Sequence, residues 1–382
     1  MSPLPIFLFL TSALQLTDNQ VLPLLVKGLG ERDEWPEIGE SGALDLMAAY
    51  ALGAAAGPLL VTRLFPHFRG RIAIVTGLAL LAFAQVGFSM VPPFAVAMGW
   101  RALAGAASGI LSYALLIEAV AAGNRAVTLM TSGFLLAYVA GIPTGAKLEA
   151  SVGLSTFYVG FGAVSLFLAV TAAFVVPRGT AKPPDTSTRS FASFFRERRF
   201  ALGLLTSVVI GAALVGPVAL FPTALQDPDG AALSQDSVGN LYYLAGLGPL
   251  LALSLAPRLL HRFGRRRVAV VGAAALAVPL LLMPLGAAAP WSGAALLIAA
   301  LLIETLRRTA LQGHLGTLPN DDDRPRYLAL RNVCVQVSIA IGILAAQRVS
   351  NVGGLAAACG VAAVLALLAA ATVPQAARSV AS

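Results

Sequence analysis

The chain has 382 residues, of which 58% are hydrophobic and only 12% charged, with a formal net charge of +8. Soluble domains carry about 45–50% apolar and about 25% charged residues, so these proportions exclude an ordinary soluble enzyme or binding module. The basic residues fall between long apolar runs, which also excludes nucleic acid as a partner. Cys334 and Cys359 form no disulfide framework, and His67, His261 and His314 form no ligand cluster, so neither a metal nor another cofactor is expected. The N-terminus lacks basic residues, and no cleavable signal is expected there.

A membrane-spanning helix needs about 20 apolar residues. Twelve segments meet this reading: 4–28, 43–65, 72–91, 95–119, 126–149, 154–176, 200–224, 237–260, 268–287, 292–315, 328–349 and 354–374. Turn residues punctuate them, as in "VPPF" at 91–94, "DPDG" at 227–230, "AAAPWS" at 287–292 and "NVGG" at 351–354.

The first segment holds an anomaly, "LQLTDNQVLP" at 14–23, where Gln15, Asp18, Asn19 and Gln20 interrupt an oily run. Helical spacing puts Thr11, Gln15 and Asp18 along one side, with Asn19 adjacent. Polar groups at this depth face a cavity or another helix. Gln15 and Asn19 suit either role, while the ionisable Asp18 points to function. The loop that follows is acidic, with Glu31, Asp33, Glu34, Glu37 and Glu40.

In the fourth segment, Arg101, Gly105, Ser108 and Ser112 share one side. Asp18 lies about 21 Å from one face at about 1.5 Å per residue. Arg101 lies at a matching depth in a core about 30 Å thick. Opposite charges on one level are expected to pair, because an unpaired charge there is costly. Asp18 is therefore expected to pair with Arg101. Glu118, at the inner end of this segment, is expected at a gate or interface. Gly141, Pro143 and Gly145 in segment five loosen the helix and allow close approach.

The stretch 177–199 is rich in Pro, Ser and basic residues and reads as a linker between an N-terminal half, 1–176, and a C-terminal half, 200–382. Segment eight contributes Asn240 to a cavity. In segment ten, Glu304 either faces that cavity or pairs with Arg308 four residues on. In segment eleven, Asn332 and Gln336 share a face that lines the second half of the cavity or bonds to another helix.

The halves echo each other. "GPLLVTRLFPHFRGR" at 57–71 parallels "GPLLALSLAPRLLHRFGRRR" at 248–267, and 124–141 parallels 324–342 more weakly. With both termini inside, the lysines and arginines fall on the cytoplasmic side, except for Lys27, Arg32, Lys147, Arg348 and the intramembrane Arg101. The acidic loop is then external.

At this point the sequence resembles the major facilitator superfamily, and most closely its twelve-span drug:proton antiporters and sugar-efflux proteins. The loop after the second span resembles the family's gate loop and keeps Arg71, though Pro66 stands where an Asp is usual. The second copy keeps Arg262, Gly264, Arg265 and Arg266, with His261 at the acid position. "RALAGAASG" resembles the family's Arg–Gly–Gly pattern through Arg101, Gly105 and Gly109. "GIPTG" resembles its antiporter motif through Gly141, Pro143 and Gly145.

The resemblance implies an all-α membrane protein with two pseudo-symmetric six-helix halves. It also implies a secondary transporter that exports small amphipathic or sugar-like solutes in exchange for protons, with Asp18 expected as the proton-exchanging carboxylate and Arg101 as its partner. An importer, or a sensor built on the same scaffold, is the alternative. No nucleophile-plus-base constellation and no phosphate-binding loop of the "GxxxxGK[ST]" kind occurs, so neither an enzyme nor an ATP-driven pump is expected. The expected partners are a small solute, protons and the bilayer. The expected setting is a monomer in a bacterial inner (plasma) membrane.

Overall fold

The computed structural model describes residues 3–22, 41–64, 70–123, 126, 129–130, 132–133, 136–177, 190–228, 230–320 and 323–375. Among these residues every regular element is a helix. In chain order they are α1 (Leu4–Gln20), α2 (Ser41–Leu64), α3 (Gly70–Ser89), α4 (Phe94–Ala122), a π-helical turn (Ala137–Gly141), α5 (Ile142–Val152), α6 (Leu154–Val175), α7 (Phe191–Arg196), α8 (Arg198–Gln226), α9 (Gln235–Ala245), α10 (Leu247–Phe263), α11 (Arg265–Gly286), α12 (Pro290–Leu315) and α13 (Arg324–Thr372).

Local chemistry sets the breaks. Pro290 opens α12, where its missing N–H costs nothing. Gly264 joins α10 to α11 at φ 80°, a conformation that side-chain-bearing residues avoid, and its N–H closes α10 on the carbonyl of Leu260. The "NVGG" turn lies inside α13, where Gly353 and Gly354 leave helical geometry and divide that element into two arms.

Each of the twelve expected segments meets helix, but eight stretches among the described residues are long and apolar enough to cross a membrane. The difference has physical sources. The described part of the first helix stops at Gln20, and the described part of the fifth begins with scattered residues before Ala137. The α12 helix carries Glu304, Arg307 and Arg308 and is not among the eight. Both arms of α13 count as one stretch.

The proposed linker also changes. From Phe191 it is helical, because Phe194 buries with Phe200 against Tyr327. Residues 178–189 and most of the acidic loop, with Pro66 and His67, lie outside the described residues.

Large apolar side chains face outward on α3, α6, α11 and the second arm of α13, as Phe83, Phe174, Leu285 and Leu367 do. A lipid-facing surface requires this. Within each half the helices meet through small residues. A side chain at Gly105 or Gly109 of α4 would strike main chain at Tyr50 or Ala54 of α2, so these two glycines serve close packing. The halves follow one plan. Gly57 of α2 abuts Ala106 and Ile110 of α4, and Gly248 of α10 abuts Ile298 and Leu302 of α12. Gly141 abuts Thr17 of α1, and Gly342 abuts Ala212 of α8. Both glycine pairs fall in the repeats that the sequence suggests.

Alternating helices bring Arg71, Arg198, Arg199, Arg265, Arg266 and Arg324 to one end of the bundle, hereafter the basic end. The main contacts between the halves lie towards the opposite end. There α2 meets the first arm of α13 through Ala48, Ala51 and Ala340, and α5 meets α9.

Candidate functional site

The end of α1 builds the first part of the site. A helix leaves its last carbonyls without partners inside it, and the Asp18 carbonyl is among them in α1. Arg101 of α4 fills this need. Its Nη1 donates to Asp18 Oδ1 at 3.1 Å, and its Nη2 donates to the main-chain carbonyl of Asp18 at 3.3 Å. One guanidinium thus answers a carboxylate and the negative end of a helix dipole.

Asp18 is 0% exposed and Arg101 1%. The rings of Tyr50, Phe88 and Tyr158 surround the guanidinium at 4.8, 5.5 and 5.9 Å. Such contacts stabilise a desolvated cation. The cage comes from α2, α3 and α6, and sequence reasoning missed it. Three aromatics on three separate segments carry no signal of spacing.

The pair is not saturated. Asp18 Oδ2, Arg101 Nε, Asn19 Oδ1 and Gln15 Oε1 are buried without a hydrogen-bond partner among the described residues. Gln15, Ser108 and Ser112 come together as a cross-helix bond. Gln15 Nε2 reaches the Ser108 carbonyl at 2.7 Å and the hydroxyls of both serines. In this conformation Gln15 joins α1 to α4 one turn from Asp18.

The "GIPTG" stretch closes over the same place. Pro143 cannot donate to the carbonyl of Val139, and the chain widens into the π turn Ala137–Gly141. Gly141 then rests on Thr17, and Gly145 on Val21 and Phe157.

The second half differs. Glu304 is buried and held by its own helix. Arg307 Nε donates to Oε2 at 2.8 Å and Arg307 Nη2 to Oε1 at 2.6 Å, while Arg308 Nε donates to Oε1 at 3.2 Å. The expected i,i+4 partner is present, and an i,i+3 partner binds more closely. The register that pairs Ala106 with Ile298 pairs Ser112 with Glu304. An ion cluster therefore stands where the first half has a neutral hydroxyl. Across from it, Arg331 of α13 donates from Nε to Ser207 Oγ of α8 at 3.1 Å. Asn332 and Gln336 on α13 are partly exposed and make no hydrogen bond among the described residues.

Asn240 stands apart from these groups. It is exposed at the end opposite the basic one, where it accepts from Lys147 Nζ at 2.7 Å. Beside it Thr144 and Tyr243 share a hydrogen bond of 2.9 Å, and Lys147 lies over the Tyr243 ring at 5.3 Å. These bonds tie α5 to α9 between the halves. A cavity of about 530 Å³ opens near that end, lined by Leu44, Thr223, Gln226, Gln347, Ser350 and Asn351. None of the cavity residues expected from the sequence lines it.

At the basic end, the expected gate residues bond within their own halves. Glu118 is buried against Gly70 at the N-terminus of α3, where a carboxylate is favoured, and Arg71 follows on that helix. Arg265 donates to the Gly313 carbonyl at 3.2 Å and Arg266 to the Pro374 carbonyl at 3.2 Å. They act as cationic caps on α12 and α13. Arg262 lies over Phe263 at 5.3 Å, next to Gly264.

Comparison with known proteins adds a partial family match. Residues 228–378 match the Major Facilitator Superfamily. Over 199 residues, 50% of the chain, the sequence is 25% identical to the "Inner membrane transport protein YdhP" of Escherichia coli (strain K12), and equally to that of Escherichia coli O157:H7. The match covers 48% of that protein, so the chain spans about half the length of the curated relatives it matches.

Proposed function

From a multi-pass membrane chain whose residues 228–378 match the Major Facilitator Superfamily, a family of transporters and not of enzymes, we infer a secondary transporter that couples its solute to protons through Asp18 and Arg101. The observation that carries this reading is the buried, unsaturated ion pair. A carboxylate with one paired oxygen and one bare oxygen, held at a helix end, has two ways to be satisfied. It stays ionised against Arg101, or it takes a proton and releases the guanidinium. Release frees a cation inside a packed half and changes the free energy of that conformation.

The basic end is cytoplasmic in this reading, by the excess of Lys and Arg there, and both termini lie on that side. The halves meet at the far end, so the conformation faces the cytoplasm. We take export of small amphipathic or sugar-like solutes as the direction, with solute leaving the cytoplasmic side in exchange for an external proton. The setting is a bacterial inner membrane, with the chain working as a monomer. The name of the E. coli relative agrees with that location.

Flux in proteoliposomes under an imposed pH gradient tests the coupling. Asp18→Asn should keep solute exchange at zero gradient and lose stimulation by the gradient. Gradient-driven flux equal to that of the native chain would remove Asp18 from the mechanism.

A further inference from the structure

The helices α8, α10, α11, α12 and α13 together contain one acidic residue, Glu304. That carboxylate already serves two cations, Arg307 and Arg308. Arg331 stands within electrostatic reach of both arginines and has no carboxylate of its own among the described residues. Three guanidiniums and one carboxylate leave an excess of positive charge inside this half. The first half shows the contrast, since Arg101 there meets Asp18 one to one.

Arg331 is also presented in a particular way. Its Nε is used on the neutral hydroxyl of Ser207. Its two Nη groups make no hydrogen bond among the described residues, and the residue is partly exposed. The forked edge of a guanidinium fits the two oxygens of a carboxylate or phosphate. Asn332 is the next residue and Gln336 lies one turn beyond it, both partly exposed with unused amides. An intramembrane charge without a counter-charge is costly and marks a functional position.

We propose that Arg331, with Asn332 and Gln336, forms an anion subsite, and that the transported solute carries a carboxylate or phosphate group that docks on it. This rests on the transporter reading and narrows its solute class to amphipathic or sugar-like anions. Glu304 sets the strength of the subsite by holding Arg307 and Arg308 back. The occupant is the solute and not a lipid headgroup, because Arg331 lies about seven residues, or about 10 Å, inside the start of α13 and is only partly exposed.

The test is thermal melting of the full chain in phosphatidylcholine nanodiscs, with glucuronate, inorganic phosphate and glucose as probes. Sodium chloride is added to match ionic strength. Glucuronate or phosphate should raise the melting temperature, and glucose should not. Arg331→Gln should weaken the response at least about tenfold, and Arg331→Lys should keep part of it. Without ligand, Arg331→Gln should melt no lower than the native chain, because it removes an uncompensated charge; a structural arginine would give a lower value.

The proposal is overturned if neither anion stabilises the native chain, if glucose acts equally, or if Arg331→Gln responds undiminished. Loss of the response when phosphatidylglycerol is included would assign the subsite to lipid and also overturn it. Melting does not read flux. A failed response leaves the transporter reading standing, and an intact response in a chain that moves no solute removes that reading, and with it the solute as occupant, while the anion subsite itself stands.

Discussion

Consider Arg101→Gln. The substitution strips Asp18 Oδ1 and the Asp18 carbonyl of their donor, and Asp18 Oδ2 already has none. A charge 0% exposed is left at the negative end of α1 with no cation. Removing one partner of a buried ion pair costs about 3–5 kcal/mol. Loss of the three ring contacts adds to this, at about 0.5–2 kcal/mol in all. The double substitution Asp18→Asn/Arg101→Gln removes both charges and leaves two amides of similar shape, so it should cost less than the single one. For units of 150–250 residues, 1 kcal/mol moves the melting temperature by about 2–4 °C, which puts the single variant roughly 10 °C below the native chain. Melting of the native chain, both single variants and the double variant in nanodiscs completes the cycle. A single variant within about 2 °C of the native chain, or a double variant below Arg101→Gln, would refute the claim that the two charges depend on each other.

Other outcomes follow from the same geometry. Gly105→Leu drives a side chain into the Tyr50 carbonyl and should cost more than the about 1–3 kcal/mol typical of overpacking, read as loss of folded protein on size-exclusion chromatography. Normal yield and melting would mean that α2 and α4 are not so closely joined. Removing the ties between α5 and α9 with Thr144→Ala/Asn240→Ala should weaken closure at that end by about 0.5–1.5 kcal/mol per bond, so that a thiol introduced at Thr223 reacts several-fold faster. An unchanged rate counts against a latch. With cysteines introduced singly, an impermeant thiol reagent on intact cells should label position 34 and not position 187; the reverse pattern would invert the orientation.

The sequence carried the parts of this molecule that depend on periodicity. Depth along a helix follows from the rise per residue, so the meeting of Asp18 and Arg101 could be anticipated from two segment starts. The repeats at 57–71 and 248–267 pointed to equivalent loops, and Gly57 and Gly248 do pack at equivalent places. Rotation about each helix was harder to read. Asn240 shares polarity with Asn332 but points to a contact between the halves, and only the fold brings Lys147 beside it. Glu304 has two arginines within one turn, and spacing alone could not show that both would bind it. The aromatic cage of Arg101 draws on three helices and was invisible for the same reason.

The alanine face between α2 and α13 has a mechanical consequence. Within each half, glycines let neighbouring helices interlock backbone to backbone, so that α2 and α4 cannot slide without collision. Between the halves, Ala48 and Ala51 meet Ala340 with single methyl groups. A methyl projects too little to key into its neighbour, so these three contacts resist sliding less than the glycine-packed seams do. The bundle thus has strong grain inside each half and a cleavage plane between them. Stress from one binding event would open that plane before it bent a helix, so each half would tilt as a rigid block. The far-end polar bonds of Thr144, Lys147, Asn240 and Tyr243 would act as the rivets that decide when the plane gives way.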